Sequence, residues 1–175
     1  MNKEHILAIL YEMALVIGGE VKLQPLLIKT LQRLLYHSGF PCGAIFLEVQ
    51  EKIAAAGNLE SIDIILDQAI GDYGMTGHIG KIVTVPALLL QGEAAFIEVG
   101  ALLKTMPCRQ SYYTYALRLP IDGCGVILLL SPALPGTDIP FSRIFQPIMS
   151  NLAKAILLCR HNEAYTGLLL SERKL

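Results

Sequence analysis

The hydrophobic pattern is densest over residues 111–131, where two apolar runs flank an Asp-Gly pair. The first run alternates between two faces, one of which carries Tyr113, Tyr115, Leu117 and Leu119. The second run, residues 126–130, is continuously apolar, which is typical of a central strand covered on both sides. Because Asp-Gly readily adopts the positive φ of a tight reversal, the pattern predicts a central antiparallel β-hairpin.

Apolar residues at helical spacing predict two helices before the hairpin. The first covers residues 2–17 with Asn2 as its cap. Its apolar stripe has the alternating spacing of a coiled coil and consists of Ile6, Leu10, Met13 and Ile17. This stripe either packs against its own domain or forms a dimer seam, since two heptads are too few to decide. The second helix covers residues 23–37, and its core face consists of Leu27, Leu31, Leu34 and Leu35.

Three shorter runs follow the second helix. Residues 42–49 and 52–56 are predicted to be strands, because both are rich in β-formers and bounded by turn residues. Residues 62–70 are predicted to be a helix, for which Ser61 and Asp63 are suitable caps.

The segment between these runs and the hairpin is rich in glycine and proline. Four glycines within residues 71–80 indicate a loop that can bend sharply or bring its backbone close to a ligand. Residues 82–90 are predicted to be a strand, which Pro86 either ends or places at the edge of a sheet. Residues 100–104 are expected to form a helical turn.

The final helix begins near Asp138, a good cap, and its pattern continues unusually far. Pro147 should kink this helix or mark its true start. The inward positions keep three-four spacing over Phe145, Ile148, Leu152, Ala155, Cys159, Asn162, Thr166 and Leu169. Two interpretations stay open: the helix frays after His161, or it continues as a coiled coil whose register Asn162 sets. The second interpretation predicts that removing residues 162–175 weakens self-association.

Composition favours a chain that covers part of its surface with a partner. Apolar residues make up 53% and charged residues only 17%, a surplus that a second copy of the chain would cover most simply. A net charge of −1 argues against a nucleic-acid or polybasic membrane surface. Residues 6–19 contain Glu12 and lack a basic start, so we expect neither a signal peptide nor a membrane span. Four cysteines without a C-x-x-C pair suggest reduced thiols and a cytoplasmic location.

Candidate ligand-binding residues gather in the glycine-rich loop, just before the hairpin and in the first strand of the hairpin. They are Tyr73, His78, Cys108, Arg109, Tyr113 and Tyr115. Tyrosines combine apolar bulk with a polar tip, although at strand spacing they also suit a core. Cys108 is either a thiol activated by the neighbouring cation or a small buried residue. The sequence contains no phosphate loop, no metal-ligand spacing and no nucleophile–base pair, so we expect no catalysis and can name no cofactor.

The order of predicted elements, together with several local patterns, resembles a GAF domain. The resemblance rests on the leucine-rich helix before residues 42–47, on residues 117–121, on Gly123 and on residues 125–127. It implies an α+β fold with a central antiparallel sheet, as in GAF and PAS domains. The N- and C-terminal helices would pack on one face, and loops and short helices on the other.

The resemblance also implies a regulatory role. Similar domains often dimerise through their terminal helices and control a histidine kinase, a diguanylate cyclase or a transcription activator. Residues 1–20 would then be a helix with a candidate dimer seam, residues 21–159 the sensory domain, and residues 160–175 a linker helix to an output domain. A small molecule would bind between the sheet and the loops.

Two departures limit what the resemblance implies about the ligand. The Asn-Lys-x-x-Phe-Asp/Glu motif of cyclic-nucleotide-binding members is absent, and Cys108 is followed by Arg109 rather than by the histidine common in bilin-binding members. Two alternatives to a sensory domain stay open: a purely structural dimerisation domain without a ligand, and a thiol-dependent reductase, which requires a cysteine of low pKa.

Overall fold

The computed structural model describes residues 3–49, 61–109, 112–134, 136 and 139–173. The helices in this part of the chain are α1 Lys3–Gly18, α2 Leu23–Ser38, α3 Tyr73–Thr76, α4 Ala87–Leu90 and α5 Phe141–Arg173, with a 3₁₀ turn at Gly100–Leu103. The strands are β1 Cys42–Leu47, β2 Ser61–Ile70, β3 Ile82–Pro86, β4 Ala95–Glu98, β5 Tyr115–Ile121 and β6 Gly125–Ser131. They form one antiparallel sheet in the order β3-β2-β1-β6-β5-β4.

The predicted central hairpin is confirmed. Strands β5 and β6 pair from Tyr115 opposite Ser131 to Ile121 opposite Gly125, and Gly123 takes a positive φ of 74° in the turn. Strand β6 also pairs with β1, so it has a neighbour on each side. Its alternate side chains enter two different cores, which explains why its sequence is continuously apolar.

The two cores confirm the predicted α+β arrangement. On one face of the sheet, α1, α2 and α5 bury their apolar sides against Ile45, Ile127 and Leu129. On the other face, α3, α4 and the 3₁₀ turn contribute Met75, Leu89 and Leu103 to a second core. We call these the helix side and the loop side of the sheet.

The prediction of a helix over residues 62–70 is wrong, because these residues form strand β2. A β-bulge explains the error. Opposite β1, Ile45 faces Gln68 but Phe46 faces Leu66, so Asp67 is an extra residue in β2. The extra residue places Leu66 and Ala69 in the same loop-side core at a separation of three, which resembles helical spacing. Pairing with β1 and β3 outweighs this local pattern.

Pro86 ends the edge strand β3, as one of the two predicted alternatives stated, but residues 87–90 form α4 rather than more strand. The final helix begins at Phe141, so Pro147 lies inside it on the exposed side and is not its start. The helix continues past His161 to Arg173. The predicted caps Asn2 and Asp138 and the predicted strand 52–56 lie outside the described residues.

The apolar stripe of α1 packs against its own domain. Met13 and Ile17 are buried, and Ile6 and Leu10 are half-buried against the helix-side core. The stripe therefore takes the first of its two predicted roles. No helix in the described ranges is both long and apolar enough to cross a membrane.

Candidate functional site

A buried carboxylate that the sequence analysis did not single out, Asp72, organises the loop-side surface. It follows the end of β2 and caps α3, where its Oδ1 accepts a hydrogen bond from the Met75 backbone N–H at 3.1 Å. Its Oδ2 accepts from the Tyr113 hydroxyl at 2.6 Å and from the Arg109 backbone N–H at 3.2 Å. Asp72 thus joins the glycine-rich loop to the segment before the hairpin.

These hydrogen bonds determine where the proton resides. Burial alone would raise the pKa of Asp72, but donation from the Tyr113 hydroxyl and three backbone N–H groups outweighs it, so the pKa lies below its ordinary value. The pKa of Tyr113 is raised, mainly by burial and secondly by the hydrogen bond that its hydroxyl donates to Asp72. At neutral pH the pair is therefore a carboxylate and a phenol, which suits a structural bond better than proton transfer.

Three of the predicted ligand-binding residues meet at Asp72. Tyr113 is buried and bonded to the carboxylate, and Arg109 is bonded to it through its backbone. The Arg109 guanidinium lies 5.1 Å from the centre of the Tyr112 ring, which is a cation–π contact rather than a contact with Asp72. Cys108 is half-buried against the loop-side core.

The other three predicted residues point elsewhere. Tyr73 is 96% exposed at the start of α3. His78 is exposed, and its Nδ1 lies 2.8 Å from the carbonyl oxygen of Gly74. Tyr115 is the first residue of β5, and strand alternation places it with Leu117 on the helix side. Tyr113 precedes the strand and lies in the loop-side core, so the two tyrosines do not share a face as predicted.

The thiols are poorly suited to nucleophilic chemistry. Burial raises the pKa of Cys42 to about 11 and that of Cys108 to about 12. Burial also raises the pKa of Cys124 and Cys159. All four side chains are consequently thiols at neutral pH rather than reactive thiolates. Among the described residues, no three His, Cys, Asp or Glu side chains come together as metal ligands would.

Close backbone packing reinforces the Asp72 contacts. A Cβ atom on Gly74 would lie 2.0 Å from the carbonyl oxygen of Pro107, so no larger residue fits unless one of the two segments moves. The same atom on Gly77 would lie 3.4 Å from the carbonyl oxygen of Tyr73, an ordinary contact, and Gly77 has a helical φ of −70°. Two neighbouring glycines in one loop therefore meet very different constraints.

We expect Gly74→Ala to lower the free energy of unfolding by about 2 kcal/mol, because the Gly74 or the Pro107 segment must shift and so disturb the contacts of Asp72. Gly77→Ala is the matched control, and its effect should be within about 0.5 kcal/mol of zero. Urea denaturation of the two variants measures both values. If Gly74→Ala and Gly77→Ala were equally stable, the packing of residue 74 against the Pro107 carbonyl oxygen would not be tight.

Side chains of the described residues pack closely over the loop side of the sheet. Met75, Leu103, Met106 and Tyr113 pack over the sheet and are all nearly inaccessible to solvent. Nearby, a cleft of about 180 Å³ lies between the end of β1, the start of β2 and α4, and its lining includes Glu48, Asp63 and Gln91. Pockets for metabolite-sized ligands usually have about 300–1,000 Å³, so this cleft is small.

A second candidate surface lies on the helix side, on the outer faces of α1 and α5. One edge of α1 is polar and faces α2, where Glu12 contacts Arg33 and His37. Beyond the first turn, which carries Lys3, Glu4 and His5, the rest of its outer face is apolar and exposed, with Leu7, Tyr11 and Leu15 each 58–68% accessible to solvent. A helix that is apolar on nearly all sides is normally covered on all sides.

The C-terminal half of α5 continues this apolar surface. A groove of about 430 Å³ separates α1 from α5 and is lined by Ala14, Gly18 and Leu158, among others. A second groove, of about 460 Å³, follows α5 past Tyr165 to Leu170. Asn162 lines both grooves, so they adjoin each other. We call the exposed apolar residues of this region the outer helix surface, which comprises Leu7, Tyr11, Leu15, Val21, Leu158, Tyr165, Leu169 and Leu170.

Comparison with known proteins identifies the fold. No protein-family model and no curated protein sequence matches this chain significantly. The GAF domain of the phosphoenolpyruvate-protein phosphotransferase from Acinetobacter aligns over 92% of this chain and 97% of its own, with 12% identity and a TM-score of 0.65. The GAF domain of the enzyme of that name from Coxiella burnetii aligns over 94% and 99%, with 16% identity and a TM-score of 0.62.

A third similar structure is an enzyme. The free methionine-R-sulfoxide reductase of Neisseria meningitidis, solved with its substrate, aligns over 92% of this chain and 95% of its own, with 16% identity and a TM-score of 0.63. Together the three structures show that this chain has the fold of GAF domains, over nearly its whole length.

Proposed function

We propose that this chain, which has the fold of GAF domains, is a non-catalytic regulatory domain that acts as a homodimer. In the dimer the outer helix surface is the seam, and α5 carries the signal toward an output domain. The observation that carries the proposal is the exposed apolar surface shared by α1 and α5. The likeness to the GAF domains of two phosphotransferases supports a regulatory role.

The area and composition of the outer helix surface favour a second copy as its occupant. A stable interface buries about 800 Å² on each partner. Eight apolar side chains that are 41–68% exposed, each contributing on the order of 100 Å², reach that area. Small residues beside them, Ala14 and Gly18, allow a partner helix to approach α1 closely. An apolar surface can be self-complementary across a two-fold axis, as a homodimer requires.

Thiol chemistry supports the non-catalytic part of the proposal. A reductase of the kind found in Neisseria meningitidis is the competing candidate, since it has a similar fold. A thiol-dependent reaction needs a thiolate, whereas burial raises the pKa of all four cysteines. Asp72 increases the pKa of Cys108 further through its negative charge.

Packing on the loop side supports a dimer that works without a resident ligand. A ligand at the predicted position would have to displace buried side chains such as Met75 and Tyr113. Displacing Tyr113 would also break its 2.6 Å hydrogen bond to Asp72. We therefore propose that helix packing, rather than an occupied cavity, is the regulated feature. The kinase or cyclase output expected from the resemblance stays a prediction.

Native mass spectrometry of the full chain at micromolar concentration tests this proposal. We expect twice the chain mass of 19.1 kDa with no additional bound mass. A monomer across the concentration range would contradict the homodimer. A dimer carrying a defined extra mass would instead support a ligand-binding sensor and would identify the molecule.

A further inference from the structure

The N-terminus of α2 lies between the C-terminal half of α5 and strand β2 and forms hydrogen bonds with both. The residue before the helix, Lys22, supplies no side-chain cap. Glu163 of α5 takes that role, because its Oε1 accepts a hydrogen bond from the Leu23 backbone N–H at 3.1 Å. A carboxylate at this position satisfies a free donor and interacts favourably with the helix dipole.

The next residue of α2, Gln24, connects this cap to the sheet. Its Nε2 donates to Asp67 Oδ1 at 3.3 Å, and its Oε1 accepts from the side-chain amide of Gln68. Neighbouring residues of a regular strand point to opposite faces and would not both reach one glutamine. Here they do, because Asp67 is the extra residue of the β2 bulge. The bulge thus presents two polar side chains to α2.

Helix α5 also acts on the bulge electrostatically. Burial raises the pKa of Asp67, while its hydrogen bonds to Gln24 and Gln68 and the positive charge of Arg160 oppose that increase. Arg160 and Glu163 lie three residues apart on α5, which places them on the same side of the helix. One side of α5 therefore faces both the cap of α2 and the bulge of β2.

We infer that Glu163, the N-terminus of α2 and the Asp67 bulge form a hydrogen-bonded joint that couples the position of α5 to the sheet. Hydrogen bonds weaken steeply with distance and angle, so a shift of α5 larger than the Glu163 side chain can follow either breaks the Glu163–Leu23 bond or moves α2 with it. Movement of α2 in turn displaces β2, because Gln24 is hydrogen-bonded to Asp67 and Gln68. This inference rests on the proposed function, because it assigns a role to α5 as the helix that carries the signal.

Amide hydrogen exchange on the full chain tests the joint. Glu163→Ala should accelerate exchange about fivefold at the Leu23 and Leu26 amides, the change that corresponds to losing a helix cap. It should also accelerate exchange of β2 around the bulge. His161→Ala is the control, because His161 is exposed and lies on roughly the opposite side of α5. Gln32→Ala is the control for Gln24→Ala, since both glutamines are exposed on α2.

The decisive measurement is Glu163→Ala in the Gln24→Ala background. We expect exchange to accelerate at the start of α2 and to stay unchanged at the bulge, because the connection through Gln24 is absent. The joint is rejected if Glu163→Ala leaves the bulge unaffected with Gln24 present, or if the bulge responds equally with and without Gln24. A response to His161→Ala of the same size would also reject it.

Sedimentation of the same samples separates this inference from the proposed function. A monomeric wild-type chain would reject the homodimer, yet exchange at the bulge would still report whether the joint exists. A dimeric chain without coupling would reject the joint alone.

Discussion

Replacing Asp72 with alanine should lower the free energy of unfolding by about 3 kcal/mol or more. The substitution removes the cap of α3 and the acceptor of the Arg109 backbone N–H. It also leaves the Tyr113 hydroxyl without its 2.6 Å partner inside the loop-side core. Only the Cys42 thiol, a weak hydrogen-bond partner, then remains beside the buried hydroxyl, so most of its cost of desolvation is retained and the loss exceeds that of an ordinary cap.

Chemical denaturation measures the loss, with Asp63→Ala as the matched control. Asp63 is exposed on β2 and accepts a hydrogen bond from the Thr84 hydroxyl at 2.8 Å. Its removal should cost about 1 kcal/mol or less. Tyr113→Phe removes the donor instead of the acceptor. The double variant should therefore lose less free energy of unfolding than the sum of the two single losses. If Asp72→Ala and Asp63→Ala cost the same, Asp72 does not organise the loop-side surface.

The stability difference caused by Asp72→Ala should depend on pH. Since the folded-state pKa of Asp72 lies below its ordinary value, the charged carboxylate stabilises the fold above the ordinary aspartate pKa of about 3.9. That contribution disappears as the pH falls through the lowered folded-state value. The difference in free energy of unfolding between the wild type and Asp72→Ala should therefore be constant near neutral pH and should become smaller below about pH 4. A difference that widens in acid would contradict a lowered pKa.

The layered fold could be predicted because its main elements are encoded locally. Leucines at helical spacing identify α2, and the Asp-Gly reversal identifies the β5–β6 hairpin. Strand β2 could not be identified in this way. Its bulge at Asp67 interrupts the alternation that marks a strand, and only pairing with β1 and β3, which are distant in sequence, determines its conformation.

The site was only partly predictable for the same reason. A short helical turn after Asp72 is a local capping signal, and the sequence analysis could have recognised it. The bonds to Arg109 and Tyr113 span 37 and 41 positions, and no local pattern encodes them. The tyrosine alternation was also misleading, because β5 begins at Tyr115 and leaves Tyr113 free to turn to the other core.

The outer face of α1 was overlooked for a different reason. A search for coiled-coil spacing finds Ile6, Leu10, Met13 and Ile17, which pack against the domain itself. The informative signal is that α1 is apolar on the other side as well, at Leu7, Tyr11 and Leu15. A helix that packs on one side only would carry polar residues there. The excess of apolar residues noted from composition is thus located partly on this face.

Tyr11→Glu combined with Leu15→Glu should weaken self-association by at least about 100-fold, which corresponds to about 2.7 kcal/mol. Both side chains lie on the outer helix surface and are 58–68% exposed in the single chain. We therefore expect the substitutions to leave the fold intact and to place two unpaired charges inside an apolar seam. Burying such charges is costly, and two copies of the chain bring four of them together.

Tyr73→Glu combined with Leu88→Glu is a control matched in residue type. These side chains are 96% and 68% exposed on α3 and α4, on the opposite face of the sheet. Sedimentation equilibrium over a range of concentrations measures the dimer dissociation constants of the wild type and of the two double variants. Circular dichroism verifies that each variant is folded. We expect the control to dimerise like the wild type. Equal weakening by both pairs would mean that added negative charge, rather than the outer helix surface, governs association.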